Sequence, residues 1–404
     1  MNKNLAKTLI LAFPVLFLSL SGCAKSDGSS FSDFIQEDSS LPKDGWSYSS
    51  KIAYVRKQSM VTGSSAFVNT AKKWRLTGTD LGFCYYDPSI KRFYSVFGDT
   101  SSSNGGIWNS NITLYTDNLD FSKGIEWQGM LPGQFGAYSS LTPVSYRVAR
   151  ANNIHYDASK MTCEKATTTI PTGAAVVNGI YYLFYMEVGT FQDNGEWDVY
   201  ASGVSKSSDK GQTWSIVDSL RWISKDANET AGNATNFGQI FPLVSNDYLY
   251  IYGIPGGRSG GVKLGRVALD KIEDFESYEY LTKIDASSSP VFEKGTSGLA
   301  KANASEDAYI VEPSCGELCV TYEPYMNRYM MTYMQNNAKI VMRLSKNPWG
   351  TWGNSDVFLG QSDMPGLYGG STCPQLFEEK GQKIYLLVSE WSIYNVHLLE
   401  VKFN

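Results

Sequence analysis

The sequence predicts an all-β chain folded as a five-bladed β-propeller, and three observations carry that prediction. Five segments repeat a tyrosine that leads into an apolar run, at residues 94–99, 182–187, 250–255, 329–334 and 385–390. Each follows a short stretch containing a glycine, at Gly82, Gly173, Gly238, Gly316 and Gly370, and these glycines lie 54 to 91 residues apart. Long helical periodicity is missing, while turn signals such as Asn178-Gly179, Asn246-Asp247 and Glu323-Pro324 separate the runs. Further runs, for example residues 199–206 and 340–344, bring each unit to three or four strands. Radial repetition of such units leaves only short edges exposed, which is the logic of a propeller. The fifth unit ends at Asn404 with too few strands. A strand near Ile52 and Val55 is expected to complete it and close the ring.

The chain opens with Lys3 and Lys7, an apolar run over residues 9–20, and Leu20-Ser21-Gly22-Cys23. This is the pattern of a secretory signal whose apolar core is too short for a finished bilayer span. The ending looks like a bacterial lipobox, so residues 1–22 are expected to be removed and Cys23 acylated. Residues 23–45, rich in Ser, Asp, Lys and Gly, read as a flexible tether. The folded domain is expected over residues 46–404, as an exported, membrane-anchored lipoprotein of the bacterial cell envelope and a monomer.

The 404 residues carry a formal net charge of −5 and no basic run, which argues against nucleic acid as a partner. Aromatic residues make up 14% of the chain, with 26 Tyr and 10 Trp. In an exported protein such rings suit stacking on sugar faces, so a polysaccharide is the expected partner. Leaving out Cys23, five cysteines remain, an odd number, so at least one thiol is unpaired within the chain. In an extended strand Cys315 and Cys319 stand too far apart to bond to each other. Only two histidines and no Cys-x-x-Cys are present, so no metal site and no cofactor are expected.

The first unit is a hairpin of two alternating runs, residues 81–86 and 93–97, around a turn at Asp87-Pro88-Ser89. Centring that turn pairs Tyr86 with Phe93, Gly82 with Phe97, and Asp80 with Asp99. Like charges directly opposed on a strand pair are destabilising. Paired carboxyls, however, drive their pKa values apart and can supply an acid and a base together. Turn or cap aspartates are the plainer alternative.

If the tyrosine-led strands line the axis, the fifth residue after each tyrosine lies at the pocket floor: Asp99, Glu187, Pro255, Met334 and Glu390. Three of these five are acidic. With Asp80 and Glu317 they outline a carboxylate-rich pocket, which suits glycosidic hydrolysis by two carboxyls. Calcium would like the same oxygens, although no compact Asp/Asn loop is present. Trp108 and Asn111, and Trp391, Tyr394 and Asn395, follow the first and fifth tyrosine strands and are expected at the channel mouth as sugar contacts, with core packing the alternative. The glycine cluster at residues 253–261 reads as a mobile loop at that mouth. Ser207-Ser208-Asp209-Lys210-Gly211-Gln212-Thr213-Trp214 matches the Asp-box pattern, a structural turn, with weaker versions ending at Trp127 and Trp352.

Several pieces occur in a fixed order: Thr79-Asp80-Leu81-Gly82, Phe97-Gly98-Asp99-Thr100, Ser110-Asn111, Ile170-Pro171-Thr172-Gly173, Thr213-Trp214, Gly316-Glu317-Leu318, and Tyr368-Gly369-Gly370 with residues 389–396. Over about residues 70 to 404 this resembles a large bacterial family defined by a domain of unknown function, some of whose members are endo-D-arabinanases. The resemblance implies a five-bladed propeller and hydrolysis of an arabinofuranosyl linkage by an aspartate pair, which falls on Asp80 and Asp99. Glu187, Glu317 and Glu390 would be supporting carboxylates, and Tyr368 would join the sugar contacts. Where the family often has a Tyr and a His before a proline, this chain has Ser371-Thr372-Cys373-Pro374, a departure that bears on the polymer recognised. A non-catalytic glycan- or protein-binding propeller is the rival reading, since fold alone does not fix function. A sialidase would need an arginine cluster that the strand ends do not offer.

Overall fold

The computed structural model describes residues 45–404 apart from 103–107, 110, 135–167, 192–196, 225–234 and 286–287. The expected signal sequence, Cys23 and nearly all of the expected tether therefore lie outside the described residues, as does Cys163. Five antiparallel sheets make five blades. Blade I runs Leu81–Asp87, Arg92–Phe97, Ile112–Thr116 and Gly129–Met130. Blade II runs Thr168–Val177, Ile180–Phe191, Trp197–Ser207 and Ser215–Ile223. Blade III begins with Gln239–Ser245 and Tyr248–Ile254, and blade IV with Cys315–Glu323 and Arg328–Gln335. Blade V runs Leu367–Ser371, Lys383–Glu390 and Asn395–Phe403, and its outermost strand is Ile52–Met60.

The first strand of each blade contacts the first strand of the next, and that of blade V returns to blade I, so the ring is closed. Closure across the termini comes from Ile52–Met60 pairing with Asn395–Phe403, as the shortage of strands in the fifth unit predicts. Trp46 reinforces it: its backbone bridges to Val55, and its indole N–H donates to the Phe358 carbonyl at 2.8 Å.

The tyrosine-led strands are the second strand of each blade, not the first, which corrects the expectation that they line the axis. The physical reason is burial on both faces: Phe93, Tyr94, Leu183, Tyr252, Tyr333 and Tyr385 are covered by neighbouring blades. The glycine-bearing stretches form the axial strands, with Gly238 just ahead of its strand. Two further differences concern local elements. A ten-residue helix, Gly295–Ala304, packs on blade III through Leu299 and Ala302, too short and too polar to show as a periodicity. The Asp-box is the turn expected: Asp209 Oδ1 accepts from the Thr213 N–H at 2.8 Å, Ser207 Oγ accepts from the Gly211 N–H at 2.9 Å, and Trp214 is buried.

Apolar wedges fill the gaps between blades. Between V and I, Trp127 stacks on Phe93 at 6.0 Å, meets Phe97 edge-on at 6.1 Å, and donates from its indole to the Val61 carbonyl at 3.0 Å. Losing a fully buried aromatic removes its transfer free energy and leaves a cavity. Trp127→Ala is therefore expected to lower unfolding stability by ~3–5 kcal/mol in a denaturant titration, with Trp391→Ala, an exposed position, within about 0.5 kcal/mol of the parent.

Candidate active site

The two aspartates sit where the blade I hairpin opens. Tyr86 pairs with Phe93 as expected, but Phe97 faces Leu81 rather than Gly82, because the register shifts between Leu81 and Phe83. Leu81 (φ +65°) and Gly82 (φ +98°) both take left-handed backbone, which inserts the extra residue of a bulge. At Gly82 a Cβ would also come within 2.9 Å of the Leu387 side chain. The consequence is that Asp80 stands opposite Gly98, whose N–H donates to the Asp80 carbonyl at 3.0 Å, and is offset by one residue from Asp99. Hydroxyls of Thr79 and Thr100, 2.7 Å apart, tie the two aspartate-bearing segments together.

The carboxyls have different surroundings. Asp80 Oδ2 accepts a hydrogen bond from the Tyr368 hydroxyl at 2.9 Å, while Oδ1 is buried and accepts none. Burial pushes the Asp80 carboxyl up to about 7. The Tyr368 hydrogen bond opposes that rise, the Glu317 charge adds to it, and the Arg258 charge and the Tyr394 hydroxyl oppose it. Asp99 is the more buried of the two, and its Oδ1 accepts from the Thr168 hydroxyl of blade II at 2.5 Å. The Tyr394 hydroxyl donates to the Asp99 carbonyl at 2.9 Å and also faces Asp80, so one phenol touches both halves of the pair. Burial, with the Asp80 charge adding, pushes both Tyr368 and Tyr394 well above their ordinary values, so they stay hydrogen-bond donors.

Glu317 and Arg258 complete the floor. Glu317, on the axial strand of blade IV, is buried and ion-paired with Arg258 at 2.7 Å. The Arg258 guanidinium lies 5.0 Å from the Trp197 ring centroid and 5.3 Å from that of Tyr368. Burial alone would lower the Arg258 pKa, but the Glu317 charge and hydrogen bond together with Tyr368 and Asp80 outweigh it, and the net shift is upward.

The structure places the other sequence candidates as follows. Glu187 is fully buried on the second strand of blade II and ion-paired with Arg221. Glu390 is bound by His397 at 2.8 Å and by Ser392, interactions that hold its carboxyl below the usual range. Both carboxylates are thus engaged by partners of their own on second strands rather than forming the axial floor. Asn111 is buried and donates to the Thr169 carbonyl at 3.3 Å, beside the residue that holds Asp99. Asn395 accepts from Thr62 at 3.0 Å and donates to the Thr77 carbonyl at 3.2 Å, which fixes the turn that carries Tyr394. Trp391 is 70% exposed and meets Tyr394 edge-on at 6.0 Å. The Trp108 backbone pairs with Ser101 in a small sheet beside Asp99, and its side chain lies outside the described residues.

Two residues of the site escape the sequence reading. Thr168 belongs to a Thr run that opens blade II, and Arg258 to the glycine cluster at residues 253–261. That cluster is not a loose loop: the Gly260 carbonyl accepts from the Cys315 N–H at 2.7 Å, and Val262 exchanges backbone bonds with blade IV's approach segment. Among the described residues the site holds one arginine, paired to a glutamate. Among the described residues no group of three or more His, Cys, Asp or Glu is arranged to hold a metal ion. Cys84, Cys315, Cys319 and Cys373 are buried free thiols.

Fold and site together define a five-bladed propeller with two aspartates beside the axial strand of its first blade. The chain belongs to the family described as Domain of unknown function (DUF4185), whose model matches residues 66–400. Notoamide biosynthesis cluster protein J of Aspergillus sp. (strain MF297-2) is 24% identical over 343 residues, spanning 80% of this chain and 82% of that protein. Among solved structures, a Bacteroides ovatus ATCC 8483 protein provisionally assigned as a hydrolase superposes with a TM-score of 0.52 at 13% identity, covering 81% of this chain and 86% of that one. The GH43_1 enzyme from Xanthomonas citri is a looser match, with a TM-score of 0.44, 13% identity, and 81% and 87% coverage.

A carboxyl whose folded pKa lies above its unfolded value of ~3.9 stabilises the fold most at low pH, and that contribution is lost as pH rises through the folded value. For Asp80 the window runs from about 4 to about 7. Asp80→Asn is expected to flatten this fall, so that its melting temperature gains on the parent's between those limits. Parallel melting curves across the window would remove the raised carboxyl.

Proposed function

We propose that this protein is a glycoside hydrolase that cleaves furanosyl linkages of a cell-wall polysaccharide, acting within D-arabinan, through Asp80 and Asp99. The single observation that carries the reading is the raised Asp80 carboxyl, one residue out of register from Asp99. Asp80 is half-buried and pushed up to about 7, so it keeps a proton near neutral pH. Tyr368 holds its Oδ2 and fixes the orientation of the carboxyl. Glycosidic cleavage needs such an acid to protonate the departing oxygen, and a second carboxylate to act on water or on the anomeric carbon. Asp99, oriented by Thr168, supplies the second group. Membership of a family in which resemblance points to endo-D-arabinanases supports the same chemistry.

In this reading Trp391, exposed beside Tyr394, stacks on a sugar unit next to the cleaved bond, and Tyr368 and Tyr394 contact the unit over the pair. Export, acylation of Cys23 and attachment to the cell envelope follow from the opening residues and put the pocket among extracellular glycans.

Incubating the protein with arabinan and other cell-wall glycans tests the proposal. Asp80→Asn and Asp99→Asn are each expected to lower product formation by about 10³-fold or more, the scale of losing an acid or base in the transition state, with folding intact by circular dichroism. Binding of glycans without products in the parent would favour the non-catalytic propeller instead.

A further inference from the structure

We propose that Arg258 and Glu317 act as a positioning pair that sets the charge state of Asp80 beside Tyr368, so that two residues from blades III and IV govern a carboxyl carried by blade I. The contacts form an unbroken chain. Glu317 holds the Arg258 guanidinium through Oε1 at 2.7 Å, and Nε reaches both carboxylate oxygens at 3.2 Å. The guanidinium faces the Tyr368 ring, and the Tyr368 hydroxyl donates to Asp80.

The pair is built rather than incidental. Arg258 has 16% of its side chain exposed and Glu317 has 4%, and truncating one partner of so buried a pair leaves the other charge uncompensated. The Arg258 stem runs against Gly316, where a Cβ would lie 3.0 Å from Cγ and 3.2 Å from Cδ. A side chain at residue 316 would crowd that stem. Ser314 donates to the Arg258 carbonyl, and the Nη1 group donates to Asn337 Oδ1 at 3.3 Å, so the backbone and the far end are held too.

Electrostatics give the pair its effect. Groups that act on Asp80 come from three blades, Arg258 from III, Glu317 from IV, and Tyr368 and Tyr394 from V, and Asp99 of blade I meets the same Tyr394. Blade II's Glu187 is turned to Arg221. Within that set Glu317 raises the Asp80 pKa and Arg258 lowers it. Intact, the two act on Asp80 in opposite directions, and burial is the larger cause. With either one removed, the other acts on the carboxyl alone.

The consequence for catalysis rests on the hydrolase reading, but the effect on Asp80 does not. Melting temperature against pH, measured for Arg258→Met, Glu317→Gln and the double variant, each beside its Asp80→Asn counterpart, isolates the Asp80 midpoint without substrate. The midpoint is expected to rise by about one pH unit in Arg258→Met, to fall by a similar amount in Glu317→Gln, and to return near the parent value in the double variant. Arg258→Lys, which keeps the charge, is expected to hold the parent midpoint. If Arg258→Met does not fold, Glu317→Gln decides alone. Midpoints unmoved in the single variants that fold would overturn the proposal, whereas a shifted midpoint without any glycan hydrolysis would overturn the function and leave the pair standing.

Discussion

A carboxyl group taken out of water without a full set of partners is the constraint on which the site depends. Asp80 accepts from Tyr368 on Oδ2 and lies close to the Tyr394 hydroxyl, while Oδ1 is buried. An ionised oxygen in that position would be costly, so the group answers by holding its proton. The bulge at Leu81 and Gly82 makes this possible, because it turns Asp80 inward at the mouth of the hairpin instead of leaving it as an ordinary strand-end residue.

The rest of the molecule serves to keep that arrangement in place. Closing the ring with Ile52–Met60 holds blade V against blade I, and blade V supplies both phenols of the pocket. Blade II supplies Thr168, blade III Arg258 and blade IV Glu317. Each blade thus contributes one or two groups to a site that no single blade could form, and the close approach of the axial strands brings those groups within reach. The stability of the ring and the chemistry at its axis share one cause, the tight packing of apolar second strands that presses the first strands together.

How much of this was legible in the sequence follows from how local each feature is. The five units and the closing strand could be read because tyrosine-led apolar runs and their glycines recur within short windows. Their order from the axis could not, since the most apolar runs are the ones buried on both faces, while axial strands are interrupted by glycines and polar residues. Asp80 and Asp99 were legible as a pair, yet their offset was not, because the bulge begins at a leucine in left-handed backbone and no composition rule marks such a residue. Glu187 and Glu390 looked equivalent to Asp99 by position. Their partners, Arg221 and His397, lie far enough along the chain that only the folded sheet brings them together. Arg258 and Thr168 reach the site from other blades, and that kind of convergence is invisible before the ring is closed.

The central claim is that one axial aspartate is still protonated near neutral pH. Carbon-13 NMR of the aspartate carboxyl carbons, followed from pH 3 to pH 9, addresses it directly. The account predicts a single aspartate resonance with a midpoint at about 7 that is missing from Asp80→Asn. If every aspartate resonance titrates below about 5, in the ordinary range of an aspartate carboxyl, the account is contradicted.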